Sequence, residues 1–129
     1  MTHASPIEAA RGFAAELHER APEIERARRL PDDLSQRFAA AGFYRMCVPS
    51  ALGGLELPPA ETMETIETLA RADGASAWCV FIGATSGSVL ALVPEAAART
   101  IFAKPTTRLS GVFAPRGTAR IVDGGFRVD

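Results

Sequence analysis

The stretch that decides the fold is Ala75–Leu92, ASAWCVFIGATSGSVLAL, which runs for eighteen residues without a charged side chain. Its apolar residues recur at steps of three and four, the period of an α-helix. These are Ala75, Trp78, Ile82, Thr85, Val89 and Leu92. The length reaches the lower limit for a membrane-spanning helix, but hydroxyl side chains and two glycines interrupt the segment. We therefore predict a buried central helix of a helical bundle, with no membrane contact.

Upstream of this stretch, proline and glycine divide the chain into amphipathic helices. Residues 5–30 have helical periodicity, and Pro22 predicts either a kink or the start of a second helix. Pro31 begins the next helix, which Gly42 is well placed to end. Pro58-Pro59 begins another helix. Between these helices, the apolar run Phe43–Pro49 predicts a short extended segment.

Downstream, the pattern changes after Lys104. Leu109–Ala114 and Thr118–Val122 are rich in β-forming residues, and Asp123-Gly124 is a strong hairpin signal. We predict a mainly α fold, with a helical domain over residues 1–104 followed by the first strands of an incomplete β-domain over residues 105–129. Because so few strands make a poor core, we expect the 129 residues to be a fragment of a longer protein.

Composition excludes several classes of protein. The chain has 14 basic and 15 acidic residues, for a net charge of −1. This balance excludes binding to nucleic acid or to an anionic membrane surface by charge alone. The N-terminus lacks the basic start and apolar run of a signal peptide, so we expect a cytoplasmic location.

No catalytic or metal-binding set emerges from the sequence. Cys47 and Cys79 are interpreted as small buried apolar residues, in preference to a disulfide or a metal site. The two histidines, His3 and His18, match no zinc-ligand spacing. Glu61, Glu64 and Glu67 recur every third residue, which we interpret as a solvated helix face. We expect no catalytic residue and no metal in this chain.

Three segments resemble the N-terminal part of the acyl-CoA dehydrogenase superfamily of flavoproteins. They are LPDDLSQRFAAAGFYRMCVPSALGGLEL at residues 30–57, ETLARADGASAWCVFIGATSG at residues 67–87 and RLSGVFAPRGTARIVDGGFRVD at residues 108–129. Each motif is weak alone, including the V-P-x-x-x-G-G loop at Val48–Gly54. Their order and spacing together are specific.

The resemblance implies a helical domain followed by a β-domain and, in the full subunit, a C-terminal four-helix bundle. It further implies FAD bound between the last two domains, a small-molecule substrate that is an acyl-CoA or an aromatic compound, and a homotetramer. Where the family has a catalytic base, that base belongs to the C-terminal bundle. The chain alone is therefore expected to be inactive.

One departure indicates a branch of the family. Typical dehydrogenases carry T-E-P-x-A-G-S-D where this chain reads FAPRGT at residues 113–118. Together with Ala77–Cys79, this resembles the flavin-dependent aromatic hydroxylases, which use reduced FMN or FAD delivered by a separate reductase, and oxygen. Acyl-CoA dehydrogenation remains the other possibility for the full-length protein.

The resemblance and the helical spacing together suggest two groups of site residues. Trp78, Ile82 and Ser86 advance by four and share one helix face, which we expect to approach the substrate pocket. Val112, Phe113 and Ala114 lie where the family's backbone contacts the flavin. The alternatives are that Trp78 only anchors the helical core, and that the chain is a stand-alone helical interaction module without catalysis.

Overall fold

The computed structural model describes residues 5–111, 114 and 116–129. Within these residues five α-helices precede one hairpin. The helices are α1 (Pro6–Ala27), α2 (Asp32–Ala40), α3 (Pro59–Ala70), α4 (Gly74–Thr85) and α5 (Glu95–Ile101), and the strands are β1 (Ala119–Val122) and β2 (Gly125–Val128). The mainly helical architecture predicted from the sequence is confirmed.

Helix α1 forms one continuous helix, with Pro22 inside it. The Ser5 hydroxyl accepts a hydrogen bond from the backbone N–H of Glu8, and the Glu8 carboxylate accepts one from Ser5, a reciprocal capping box. Its buried face includes Phe13 and Leu17. Phe13 lies edge-on to Phe38 with ring centroids 5.0 Å apart. This aromatic contact joins α1 to α2 in the core.

Two arginines connect α1 and α2 at the surface. Arg37 donates two hydrogen bonds of 2.7 Å to the Glu16 carboxylate. Arg20 donates to Asp33 at 2.6 and 3.1 Å, and also to Glu16 at 3.2 Å. Since Asp33 lies in the first turn of α2, its carboxylate also interacts favourably with the positive end of that helix's dipole.

The apolar run after α2 is helical rather than extended, so the predicted extended segment over Phe43–Pro49 is wrong. Gly42 ends the preceding turn with φ of 79°, and Phe43–Arg45 forms a 3₁₀ turn. Both Phe43 and Tyr44 are buried in this turn. A consecutive apolar run does not distinguish a buried turn from a strand, which explains the error.

The uncharged stretch is a helix over only part of its length, and its predicted buried face is wrong. Helix α4 ends at Thr85, and a 3₁₀ segment continues over Ser86–Leu92. Trp78 is 63% exposed and Leu92 is 86% exposed. The residues that face the core are Ser76, Ala77, Val80, Gly83, Ala84, Ser86, Gly87 and Leu90. The helix and the segment after it therefore bury mostly small side chains, with Val80 and Leu90, and leave Trp78 and Leu92 exposed.

Close backbone packing explains this orientation. A Cβ on Gly83 would lie 2.5 Å from Cδ1 of Tyr44, and one on Gly87 would lie 2.6 Å from Cγ2 of Val48. Real Cβ atoms do not approach other heavy atoms so closely, so α4 and the segment after it must present glycine here. Burial of apolar surface is achieved by this approach rather than by large side chains.

The C-terminal part contains the predicted hairpin. β1 pairs antiparallel with β2, with Val122 opposite Gly125. Gly124 has φ of 80°, the left-handed conformation that glycine adopts readily in turns. The strand predicted over Leu109–Ala114 is absent from its described residues, since Leu109–Gly111 and Ala114 have no strand pairing. All eight strand residues are exposed.

One segment of the described residues, Gly74–Leu92, is long and apolar enough to cross a membrane by length and composition. A core helix of a soluble protein meets the same criterion, so the signal is weak. Almost half of this segment, 44%, is buried inside the molecule. The packing of Gly83 and Gly87 accounts for that burial.

Candidate functional site

A cleft of about 350 Å³ lies beside α4, and we call it the Tyr44 cleft. Its lining combines large apolar side chains with a few polar ones. The lining residues are Leu30, Ser35, Tyr44, Trp78, Cys79, Ile82, Gly83, Arg108, Leu109 and Ser110. Its size and composition are those of a small-molecule site, which is typically an apolar concavity with a few convergent polar groups.

The three residues predicted for the substrate pocket occupy different depths along one side of α4. Trp78 and Ile82 line the Tyr44 cleft, Trp78 largely exposed and Ile82 half-buried. Ser86 is buried and does not line this cleft. A Cβ on Gly111 would lie 3.4 Å from the Ser86 Oγ. Ser86 therefore lies beside the chain that leads to residues 112–114.

The Ser86 hydroxyl is a buried polar group without a hydrogen-bond partner among the described residues. Such groups cost stability unless something pairs with them. The backbone of Leu109–Gly111, beside it, makes no hydrogen bond to other described residues. The Ser86 hydroxyl and the backbone of the neighbouring Gly111 are thus free of hydrogen bonds to described residues.

Of the three residues predicted to contact the flavin, the structure describes one. Val112 and Phe113 lie outside the described residues, and Ala114 is exposed in a bend. The stretch before them, Leu109–Gly111, reaches the Tyr44 cleft through Leu109. The structure thus brings this stretch to the cleft that contains Trp78 and Ile82.

Tyr44 contributes a buried phenol to the lining of the cleft. The sequence analysis did not identify it as a site residue. Its hydroxyl lies 3.3 Å from the Ser35 Oγ, and the Arg108 guanidinium carbon lies 5.8 Å from its ring centroid. Burial raises the pKa of the Tyr44 phenol, while the hydrogen bond with Ser35 and the charge of Arg108 lower it, and burial has the larger effect. The phenol is therefore neutral at physiological pH. The phenol within the mostly apolar run FYRMCV was the signal available in the sequence.

Cys79 was predicted to be buried, and this is wrong. Both cysteines are free; Cys79 is exposed and Cys47 is half-buried. Desolvation, and secondarily the charge of Asp73, raise the pKa of the Cys79 thiol. A thiol with a raised pKa is a poor nucleophile at neutral pH. Cys79 therefore contributes an apolar surface to the cleft rather than a reactive group.

A second cleft of about 410 Å³ adjoins the first, and we call it the Arg28 cleft. It shares Leu30, Trp78 and Cys79 with the Tyr44 cleft. Arg28, Arg29 and Glu25 contribute charges of both signs to its lining. Trp78 therefore forms the ridge between two neighbouring clefts.

Arg45 holds the segment after α5 in position. Its guanidinium donates to the backbone carbonyls of Phe102 at 3.0 Å, Lys104 at 2.9 Å and Gly53 at 3.3 Å. It also lies over the Phe102 ring, 4.9 Å from the centroid. These contacts place the end of the helical region four residues before Arg108.

Within the described residues no group of three or more His, Cys, Asp or Glu side chains is arranged to hold a metal ion. The ionised groups near α1 and α2 pair with one another instead. The chemistry available in the clefts is binding: aromatic and aliphatic surface, hydroxyl groups and the Arg108 cation.

Comparison with known proteins identifies a family. Residues 2–101 match the family described as acyl-CoA dehydrogenase, N-terminal domain. Indole-3-acetate monooxygenase of Pseudomonas putida is 36% identical over 107 residues, which cover 83% of this chain and 28% of that protein. The oxygenase subunit HsaA of a flavin-dependent monooxygenase from Rhodococcus jostii is 33% identical, over 88% of this chain and 30% of its own length.

Solved structures give the same result. The crystal structure of the HsaA monooxygenase from M. tuberculosis superposes with a TM-score of 0.89 and 33% identity, over 96% of this chain and 33% of that one. XiaF from Streptomyces, solved in complex with FADH2 and glycerol, gives a TM-score of 0.86 at 27% identity, over 95% and 31% of the two chains. The chain spans less than a third of the length of the curated relatives that it matches.

Proposed function

This chain belongs to the acyl-CoA dehydrogenase family through its N-terminal domain, and on that premise we propose that it forms the N-terminal part of the oxygenase component of a flavin-dependent aromatic monooxygenase. The observation that carries the proposal is the combination of the monooxygenase relatives with the apolar Tyr44 cleft. Residues 1–104 are its helical domain and residues 105–129 begin its β-domain.

Oxygenation is preferred to acyl-CoA dehydrogenation because of the relatives. The two curated relatives described above are monooxygenases, and the p-hydroxyphenylacetate 3-hydroxylase oxygenase component of Acinetobacter baumannii is 28% identical over 94% of this chain. The names of two of these proteins specify aromatic substrates, indole-3-acetate and p-hydroxyphenylacetate. An aromatic substrate also suits a cleft lined by Trp78 and Ile82.

In the proposed site, Trp78, Ile82 and Ser86 form one wall of the substrate cavity. Support comes from the exposure of Trp78, which a pure core anchor would not have, and from the unpartnered Ser86 hydroxyl. A large aromatic side chain left exposed on a helix typically marks a contact surface. The rest of the protein would close the cavity, so the 129-residue chain alone is expected to be inactive.

The cofactor in this proposal is a reduced flavin, FMN or FAD, which would supply the electrons that activate oxygen. The residues Leu109–Gly111 and Ser86 fit such a group because they offer backbone and hydroxyl hydrogen-bond partners next to apolar side chains. Val112, Phe113 and Ala114 would continue this contact. The apolar side chains around the cleft would exclude water from the reacting ring. A tetramer of the full subunit and a cytoplasmic location complete the proposal.

A chimera tests the proposal. This chain replaces the matching N-terminal third of HsaA from M. tuberculosis, and hydroxylated product is measured with reduced flavin and oxygen supplied. We expect product formation that requires reduced flavin, because the fold is shared. A folded chimera that binds no reduced flavin would contradict the proposal, and circular dichroism provides the folding control.

Such a chimera also separates the two remaining hypotheses. A dehydrogenase would reduce an electron acceptor with an acyl-CoA and would yield no hydroxylated product. An interaction module would support neither reaction in the folded chimera. Each outcome therefore selects one function.

A further inference from the structure

The lining of the Tyr44 cleft includes a cation, Arg108, whose charge no carboxylate of the described residues neutralises. Among the described residues no carboxylate lies within salt-bridge distance of Arg108, whereas Arg20 and Arg37 pair with Glu16 and Asp33. Arg45 donates to three backbone carbonyls. Arg108 thus retains free donors at the edge of an apolar cleft.

The guanidinium of Arg108 is oriented by an aromatic ring. Its central carbon lies 5.8 Å from the centroid of the buried Tyr44 ring, within the range of a cation–π contact. The Tyr44 hydroxyl is occupied with Ser35 at 3.3 Å. The phenol therefore does not need Arg108 as a partner, and the guanidinium faces the cleft with its hydrogen-bond donors available.

Much of the remaining lining of the same cleft is apolar, with Trp78, Ile82 and Leu109 among its residues. A ligand that fills the cleft must therefore present a flat or apolar body to these side chains and a negatively charged hydrogen-bond acceptor to Arg108. Guanidinium groups bind carboxylates through two parallel hydrogen bonds, a geometry that favours planar anions.

We propose that the Tyr44 cleft binds an aromatic molecule that carries a carboxylate, with its ring against Trp78 and Ile82 and its carboxylate paired with Arg108. This inference rests on the proposed function, in which the cleft belongs to the substrate cavity, and it names the class of substrate and the residue that selects it. Arg108 is the specificity-determining residue of the cleft.

The neighbouring Arg28 cleft is less suited to an aromatic anion. Arg28 and Arg29 line it, but so does Glu25, whose carboxylate repels a second one. Nevertheless it shares Trp78 with the Tyr44 cleft, so a test must distinguish the two clefts. Arg29 provides the matched control, because it is an arginine on the other side of the same tryptophan.

Trp78 makes the test direct, since it is the only tryptophan in the chain. Its fluorescence is titrated in the 129-residue protein with phenylacetate and with the neutral phenylacetamide, and calorimetry on the same solutions measures binding independently. We expect phenylacetate to bind more tightly than the amide. Arg108→Gln should weaken phenylacetate about tenfold, the loss of one charge-assisted pair, and leave the amide unchanged. Arg29→Gln should change neither ligand.

Three results would overturn the inference. The first is equal binding of acid and amide, or no binding of either by both methods. The second is a loss of phenylacetate binding in Arg29→Gln and not in Arg108→Gln, which assigns the anion to the Arg28 cleft. The third is displacement of phenylacetate by an equal concentration of inorganic phosphate, which would make Arg108 a site for anions in general.

The outcome is independent of the chimera experiment. Selective binding of phenylacetate with an inactive chimera would refute the monooxygenase proposal alone. An active chimera whose turnover of an aromatic acid is unchanged by Arg108→Gln would refute the substrate inference alone.

Discussion

Tyr44 is the residue around which the candidate site is built. Its ring packs on α4 at Gly83, its hydroxyl pairs with Ser35, and the Arg108 guanidinium carbon lies 5.8 Å from its ring centroid. It is also the only tyrosine in the chain, so its ionisation can be measured without assignment.

We expect a spectrophotometric titration of tyrosinate to give a midpoint above the ordinary tyrosine pKa of about 10, because burial raises the pKa of Tyr44. A raised pKa in the folded state stabilises the fold fully below the unfolded pKa. This contribution is lost as the pH rises through the folded pKa. Tyr44→Phe should remove that part of the alkaline sensitivity. A midpoint at or below the ordinary value would show that the phenol is solvated.

Gly54 follows a 3₁₀ turn over Ser50–Leu52. A Cβ at this position would lie only 1.9 Å from the carbonyl oxygen of Val48, so Gly54→Ala must displace the backbone. We expect a loss of about 3 kcal/mol in the free energy of unfolding, the upper end of the cost of overpacking. Urea denaturation measures it.

Gly12 is the matched control for that substitution. It lies inside α1, and a Cβ added there would meet nothing within 4 Å, so Gly12→Ala should stabilise the chain by about 0.5–1 kcal/mol. Equal effects of the two alanines would contradict the packing described here.

At the scale of elements, the α1–α2 pairing depends on carboxylates that are ionised. The hydrogen bond from Arg37 lowers the pKa of Glu16, and that from Arg20 lowers the pKa of Asp33. A lowered pKa contributes stability above the ordinary pKa, and this contribution is lost as the pH falls through the folded pKa. The network therefore weakens in acid.

Glu16→Gln tests that network. We expect it to lower the free energy of unfolding at neutral pH by at most about 1 kcal/mol, the ceiling for partly exposed ion pairs. The difference from the unsubstituted chain should shrink below about pH 4. Glu67→Gln, which breaks the exposed pair with Arg71 at the C-terminal end of α3, should cost less. A pH-independent effect at Glu16 would show that its charge is irrelevant.

The elements that were predicted well are those with explicit local signals. The acidic first turn of α2, the proline that begins α3 and the Asp123-Gly124 hairpin each have a local cause. The orientation of α4 has none, because a period of large apolar residues assumes that these face the core. Here the tertiary approach of Tyr44 and Val48 favours glycine on the inner face.

In the candidate site, too, the sequence predicted the residues that have a local signal and missed those that depend on tertiary contacts. Trp78 and Ile82 follow from helical spacing, and they line one cleft. Tyr44 and Arg108 are 64 positions apart in the sequence, and only the folded chain brings them together. Such a pair carries no local signal, because it depends on tertiary contacts among α2, α4 and the segment that Arg45 holds.

At the scale of the whole molecule, large apolar side chains remain exposed at the surface. Several of them lie on α4, on the 3₁₀ segment after it and on the hairpin: Trp78, Leu92, Ile121 and Phe126. Apolar patches of this kind usually mark interaction surfaces. In the proposed oxygenase they are the surfaces that meet the flavin, the substrate and the remainder of the protein.

The measurement that tests this account most directly is the coupling of hydroxylation to reduced flavin in the HsaA chimera, compared between Ile82→Ala and Ile7→Ala. Both isoleucines are half-buried on helices, but only Ile82 lines the Tyr44 cleft. We predict that Ile82→Ala lowers the hydroxylated product formed per reduced flavin at least severalfold, because a shortened wall misplaces the ring and admits water. Ile7→Ala should leave this ratio unchanged. Equal ratios in the two variants would contradict the assignment of α4 to the substrate cavity.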